Sequence, residues 1–296
     1  MQSAQHSLAV TMTCHNRRDK TIKCLDTLYQ QDYLDQIALS VFLVDDGSTD
    51  GTSEAVAAKF PEVHVIKGDG SLFWNKGMYL SFEHAQKAGP FDYYMLLNDD
   101  TFLVPDALRN LIGTHLELVK QGKGCSVVTG STKDPETQEL TYGGYRKLQG
   151  FNPFRYELVH PGEAIAECAT MCGNCVLIPR EVEEKVGNLD PQYVHRWGDV
   201  DYGLRALEKD CHVYAAPRFI GYCASNPNAD KWRNPHMPFK ERIKELHSVK
   251  GLHKEDWRAF VRRHGGPAWL IFWLSPYVKI GLTSLMSNFQ SAPSSN

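Results

Sequence analysis

Four continuous apolar runs punctuate the first third of the chain, at residues 8–13, 37–44, 63–66 and 93–97. Runs without polar alternation mark strands buried on both faces, as in a parallel sheet covered by helices. Between them the apolar period changes. Ile22, Leu25, Leu28 and Tyr29 recur at helical spacing after the first run. The second run ends in Asp45-Asp46-Gly47-Ser48-Thr49-Asp50-Gly51-Thr52. There Gly47 and Gly51 permit tight turning, and Ser48 or Thr49 is expected to cap a helix reaching Phe60. A further helix is predicted over 75–88. This alternation predicts an α/β fold, a wound and mostly parallel sheet flanked by helices, with its ligand edge beyond the strands' carboxyl ends.

Three of those ends are conspicuously polar: Cys14-His15-Asn16-Arg17-Arg18, Asp45-Asp46 and Asn98-Asp99-Asp100. Adjacent carboxylates repel unless a cation or a donor group offsets their charge. A hard divalent ion held by carboxylate oxygens and a ligand's phosphates would do so. Each cluster alone is also what a turn or helix cap supplies. Their coincidence at one sheet edge points to a metal-assisted site for a phosphorylated ligand.

Taken in order, these segments resemble family 2 glycosyltransferases of the GT-A fold, most closely a bacterial rhamnosyltransferase-like group. The resemblance rests on Thr13-Cys14-His15-Asn16-Arg17, 44–50, 68–74, Asn98-Asp99-Asp100 and Gly198-Asp199-Val200-Asp201, and spans roughly residues 8–225. It implies that Asp45, with Asp46 beside it, receives the base and ribose of a nucleotide-diphosphate sugar; a carboxylate can accept from a pyrimidine N–H or a ribose hydroxyl. It also puts Thr13, His15, Arg17, Gly70, Trp74, Asn75 and Asp99 near the donor. Phe73 and Trp74 could equally be core, and the charges of 15–18 equally solvated. The family's metal motif is two acids separated by one residue. Here Asn98 takes the first place and Asp100 the last, so Asp100 and Asn98 are the implied ligands of a divalent metal, Mn2+ or Mg2+. Asp199 holds the place of the catalytic base, with Gly198 where the family usually has Glu; a helix cap is the alternative reading. Asp201 and Arg205, four apart, read as a helical ion pair.

The acceptor side is implied at Cys172, Gly173, Asn174 and Trp197. Cys168, Cys172 and Cys175 have a spacing that can ligate an iron–sulfur cluster, but Cys175 leads straight into apolar 176–179, so a loop with buried thiols is the preferred reading. The implied reaction is inverting transfer of a sugar from dTDP-rhamnose, or next a UDP-sugar, to a hydroxyl of a glycan or lipid-linked acceptor in surface polysaccharide synthesis. A nucleotidyltransferase would want a Gly-rich loop after the first strand, and 14–20 contains no glycine. A non-catalytic nucleotide-sugar-binding scaffold is the reading from another class.

Composition adds bounds. The 296 residues are 42% hydrophobic, enough for a substantial core, and the net charge of -3 gives no reason to expect nucleic acid. No charged n-region and apolar h-region opens the chain, and eight scattered cysteines suit reduced thiols in a cytoplasmic protein better than a disulfide framework. The character changes after residue 225. From Lys231 to Lys279 there are eleven Lys and Arg against four Glu and Asp, followed from Trp269 by an aromatic-rich apolar run that Pro276 and Lys279 interrupt. Residues 226–290 therefore read as a helical extension behind a catalytic domain of 1–225. Its partner is either an anionic membrane surface, making the protein peripheral on the inner face of the membrane, or a packed subdomain or second copy in a homodimer. Residues 291–296 look disordered.

Overall fold

The computed structural model describes residues 6–226 and 230–290, with side chains to 286; the 291–296 tail lies outside the described residues. In chain order the strands and helices begin β1 (His6–Cys14), α1 (Arg18–Tyr29), β2 (Ile37–Asp45), α2 (Thr52–Lys59), β3 (His64–Lys67), α3 (Phe73–Ala88) and β4 (Tyr93–Leu97). They continue with β5 (Phe102–Leu103), α4 (Ala107–Lys120), β6 (Ser126–Lys133), β7 (Leu140–Tyr142), β8 (Gly144–Lys147), β9 (Tyr156–Leu158), β10 (Ala166–Cys168), β11 (Thr170–Met171) and β12 (Cys175–Pro179). Then come α5 (Arg180–Val186), α6 (Gly198–Glu208), β13 (His212–Tyr222), α7 (Phe239–His247), α8 (Lys254–His264) and α9 (Trp269–Gln290).

The described chain divides into two units. The first comprises residues up to Leu148, Tyr156–Pro191 and Gly198–Ser225. Its main sheet runs β10-β13-β6-β12-β4-β1-β2-β3. The pairs β4–β1, β1–β2 and β2–β3 are parallel, while β12 lies antiparallel between β4 and β6. Each of these strands feeds both cores, because successive side chains point to opposite faces. Val10, Leu43, Met95 and Leu177 join α1 and α4 on one side. Ala9, Phe42, Leu96 and Val176 meet Met78 and Phe82 of α3 and Tyr202 of α6 on the other. β11, β8 and β9 form a second, three-stranded sheet.

Two local expectations change. The helix after β2 starts at Thr52, and its first N–H is taken by the Asp50 carboxylate at 3.1 Å. Ser48 does not cap it, because its hydroxyl accepts from the Asn16 N–H at 2.8 Å. The second change concerns cysteine. Six remain free and buried, but Cys125 and Cys211 are bonded to each other. They immediately precede β6 and β13, which run parallel with Ser126 opposite His212, so the register sets side by side two residues that are far apart in sequence.

The second unit comprises Gln149–Arg155, Gln192–Trp197 and the described residues from Asn226 on. The composition shift at 225 gives no sign of the two short insertions. Buried Asp256 anchors one of them, accepting the Val194 and His195 N–H groups at 3.0 and 3.2 Å. Phe154 anchors the other against Trp257, Phe260 and Phe272. Arg242, wholly buried, donates to Trp232 O (2.8 Å) and Ser284 Oγ (3.0 Å) and so ties α7 to α9. α9 runs unbroken through Pro276. Pro276 cannot donate to the Phe272 carbonyl; the Ser275 hydroxyl does so instead, at 2.8 Å.

Candidate active site

The carboxyl ends of β1, β2 and β4 are laced together in the first unit. At the end of β1, Asn16 donates its N–H to Ser48 Oγ and accepts the Thr49 N–H on its side-chain oxygen (2.8 Å each). His15 Nδ1 lies 2.6 Å from the Asp46 carbonyl and Nε2 lies 3.1 Å from Asn16 Nδ2. A carbonyl only accepts, so Nδ1 carries the proton. Asp45 and Asp46 are both buried, and their carboxylates accept from different segments. Asp45 accepts from the Ser48 N–H and the Ser53 hydroxyl. Asp46 accepts the N–H groups of Gly70, Leu72 and Phe73 at 2.8–3.0 Å. Asp46 therefore shapes the 68–73 loop, while Asp45 keeps the strand-end position the resemblance gives it.

At the end of β4 the two acids find their counter-charge within the chain. Arg17 donates to Asp99 Oδ1 at 3.0 Å and to Asp100 Oδ2 at 2.8 Å, and Lys20 Nζ stands 4.0 Å from Asp100. Burial pushes the Asp99 carboxyl up to about 7; Arg17 opposes that rise and the Asp100 charge adds to it. The other Asp99 oxygen, Oδ2, is buried without a hydrogen-bond partner among the described residues. On the far side, the Cys223 thiol contacts Asp100 Oδ1 at 3.6 Å and receives Asn174 Nδ2 at 3.5 Å. Burial, with the Asp100 charge beside it, pushes that thiol up to about 12.

Asn98 is used differently from expectation. Its side-chain oxygen accepts the Trp74 indole N–H at 2.7 Å, and its backbone N–H is held by the Asn174 carbonyl. Among the described residues no three His, Cys, Asp or Glu side chains gather as a metal would require. The orphaned Asp99 oxygen and the adjacent Asp100 carboxylate are hard donors that suit Mn2+ or Mg2+, with the remaining ligands left to phosphates. The two acids fit such an ion; Asn98 instead fixes Trp74.

The 172–174 loop joins this centre to Asp199. Gly173 donates its N–H to Asp199 Oδ2 at 2.9 Å, and Trp74 packs so closely on Gly173 that a Cβ there would overlap the indole. Cys172 is buried against Tyr145, its thiol 3.1 Å from the hydroxyl; burial, aided by the Asp199 charge, pushes it up to about 12. Asn75, wholly buried, donates to Asp190 O at 2.8 Å, and a Cβ on Gly198 would collide with its side-chain oxygen. The same crowding links Thr13 to Gly77 of α3. Asp201 and Arg205 form the expected ion pair at 2.7 Å, Arg205 also holding the Val186 and Asn188 carbonyls.

Thus one unit brings together Thr13, His15, Arg17, Asp45, Asp46, Gly70, Trp74, Asn75, Asn98, Asp99, Asp100, Cys172, Gly173, Asn174 and Asp199. Trp197 is counted with the second unit, its ring stacked on Phe260 at 4.5 Å and tilted against Trp257 at 5.1 Å. Sequence reading missed Lys20 and Cys223. Lys20 lies one helical turn beyond Arg17, a hint available in the sequence; Cys223 reaches Asp100 only through the fold.

The mixed, mostly parallel sheet flanked by helices is that of the GT-A fold. Residues 9–187 match glycosyl transferase family 2, and the chain belongs to that family. It is 28% identical over 191 residues to the N-acetylglucosaminyl-diphospho-decaprenol L-rhamnosyltransferase of Mycobacterium tuberculosis, a match covering 56% of this chain and 60% of that protein. Among solved structures it is similar to the mannosyltransferase PcManGT of Pyrobaculum calidifontis, in complex with GDP-Man and Mn2+. That match has a TM-score of 0.57 and 14% identity, and covers 99% of this chain and 77% of that one. S. aureus TarS 1–349, in complex with UDP-GlcNAc, also matches with a TM-score of 0.57, at 12% identity over 86% of this chain and 66% of that one.

Proposed function

We propose that this chain transfers a sugar, with inversion, from a nucleotide diphosphate to a hydroxyl of a glycan or lipid-linked acceptor in surface polysaccharide assembly. The L-rhamnosyl transfer in the mycobacterial relative's name supports rhamnose as the sugar; the donor we put first is dTDP-rhamnose, with a UDP-sugar next. The observation that carries the reading is the single chain of hydrogen bonds, ion pairs and packing from Arg17 through Asp99-Asp100, Asn98 and Trp74 to Gly173 and Asp199. Asp45 meets the base and ribose. Arg17, whose side chain is 45% exposed, contributes charge toward the diphosphate. Asp99 and Asp100 would hold a divalent metal, which offsets negative charge on the departing diphosphate. Asp199, oriented by the Gly173 N–H, takes the proton of the acceptor hydroxyl. Six free thiols fit a reducing compartment, and we place the protein in the cytoplasm.

Asp199→Asn tests the assignment, since it keeps the acceptor oxygen for Gly173 and removes the basicity. The expected outcome is loss of sugar transfer by about a hundredfold or more, with nucleotide binding unchanged in calorimetry. Transfer at the parental rate would remove Asp199 from the mechanism.

A further inference from the structure

α9 presents two unlike faces. Phe272, Pro276 and Ile280 are buried within the second unit. Leu270, Ile271, Leu274, Val278, Leu282, Leu285 and Met286 are 47–64% exposed and fall on the opposite stripe, broken only by Ser275 and Lys279. At 1.5 Å per residue the stripe is about 24 Å long, far more apolar surface than scattered exposed side chains account for. Gly266–Met286 is long and apolar enough to cross a membrane. However, the row of Phe272, Pro276 and Ile280 is already occupied by protein. That leaves one side of the helix for a partner, the geometry of a helix lying in an interface plane.

Charge selects the partner. The unit carries an excess of seven positive charges between Lys231 and Lys279. In α8, Arg258, Arg262 and Arg263 line a groove of about 490 Å3 with Gln192, Glu255 and Ala259. Arg258 and Arg262 make no ion pair among the described residues. A second copy of this chain would bring the same positive excess against itself, whereas a surface of lipid phosphates complements it. We infer that the second unit docks on an anionic lipid bilayer, with the α9 stripe immersed at the acyl boundary and the α8 arginines on lipid phosphates. The inference goes beyond the sugar-transfer reading and does not depend on it.

The test is flotation of the full chain with phosphatidylcholine vesicles, alone or mixed with phosphatidylglycerol. Binding is expected with the anionic vesicles and should weaken as salt rises. Leu274→Glu with Val278→Glu, and separately Arg258→Gln with Arg262→Gln, should each lower the partition by about tenfold or more. Their circular dichroism and melting should match the parent, since all four side chains are exposed. No binding to anionic vesicles overturns the inference. So does a parent dimer in sedimentation velocity that Leu274→Glu with Val278→Glu turns into a monomer without changing vesicle partition. Resistance of bound protein to alkaline carbonate would also overturn it, because that is the behaviour of a spanning helix.

Discussion

At the residue scale the site is governed by what each acid already touches. Asp45, Asp46, Asp99, Asp100 and Asp199 all stood out in the sequence as paired or motif acids, yet their surroundings differ. Asp46 spends its charge on three backbone N–H groups of one loop, whereas Asp99 keeps a buried oxygen without a partner among the described residues. Neither fact could be read from the dipeptides, because the partners come from other strand ends. The Gly198 departure from the family pattern has a steric cause in Asn75, which fills the volume of any side chain at 198. Gly198→Ala is therefore expected to cost about 1–3 kcal/mol of stability, as overpacking does. Asn75→Gly in the same chain should return part of that loss on thermal unfolding. A Gly198→Ala protein as stable as the parent would contradict the packing described.

Among elements, the strands were the most legible part of the chain. β1, β2 and β4 announce themselves as unbroken apolar runs, and their doubly buried placement explains why. Leu96→Ala, in the middle of β4 and wholly buried, should cost about 2–5 kcal/mol; denaturant titration checks it. The antiparallel insertion of β12 and the small second sheet were not legible, since short strands carry too little pattern to fix a pairing. β4 is also tied at its start. Asp92 accepts from the Ser7 N–H and hydroxyl at 2.8 and 2.9 Å and pairs with Arg180 at 2.9 Å. Burial works against its charge, but these partners prevail and hold the carboxyl below its usual range. A carboxyl depressed in the folded state stabilises above its unfolded pKa, and that contribution fades as pH falls through the folded value. Asp92→Asn should thus lower stability near neutral pH and change it least well below about pH 4, which flattens the acid limb of the stability curve. An unchanged acid limb would show that Asp92 contributes nothing there.

For the whole molecule, two units of different composition carry two kinds of chemistry. The change at residue 225 was visible as a change in charge and aromatic content. The recruitment of 149–155 and 192–197 into the second unit was not, because it depends on buried Asp256 and on the aromatic cluster of Phe154, Trp197, Trp257 and Phe260. That recruitment gives Trp197, expected on the acceptor side, ring partners within the second unit.

In this reading the strand-end acids of the first unit build a metal-assisted nucleotide site. The most direct test is the melting temperature of the parent and of Asp100→Asn with dTDP, UDP, GDP or CMP, each with and without Mn2+. A ligand that binds only the native state at about a hundredfold excess over its Kd adds about 2.7 kcal/mol. The account requires a rise with dTDP or UDP that depends on Mn2+ in the parent and largely disappears in Asp100→Asn. No rise with any nucleotide, or a rise indifferent to both Mn2+ and Asp100, would contradict it.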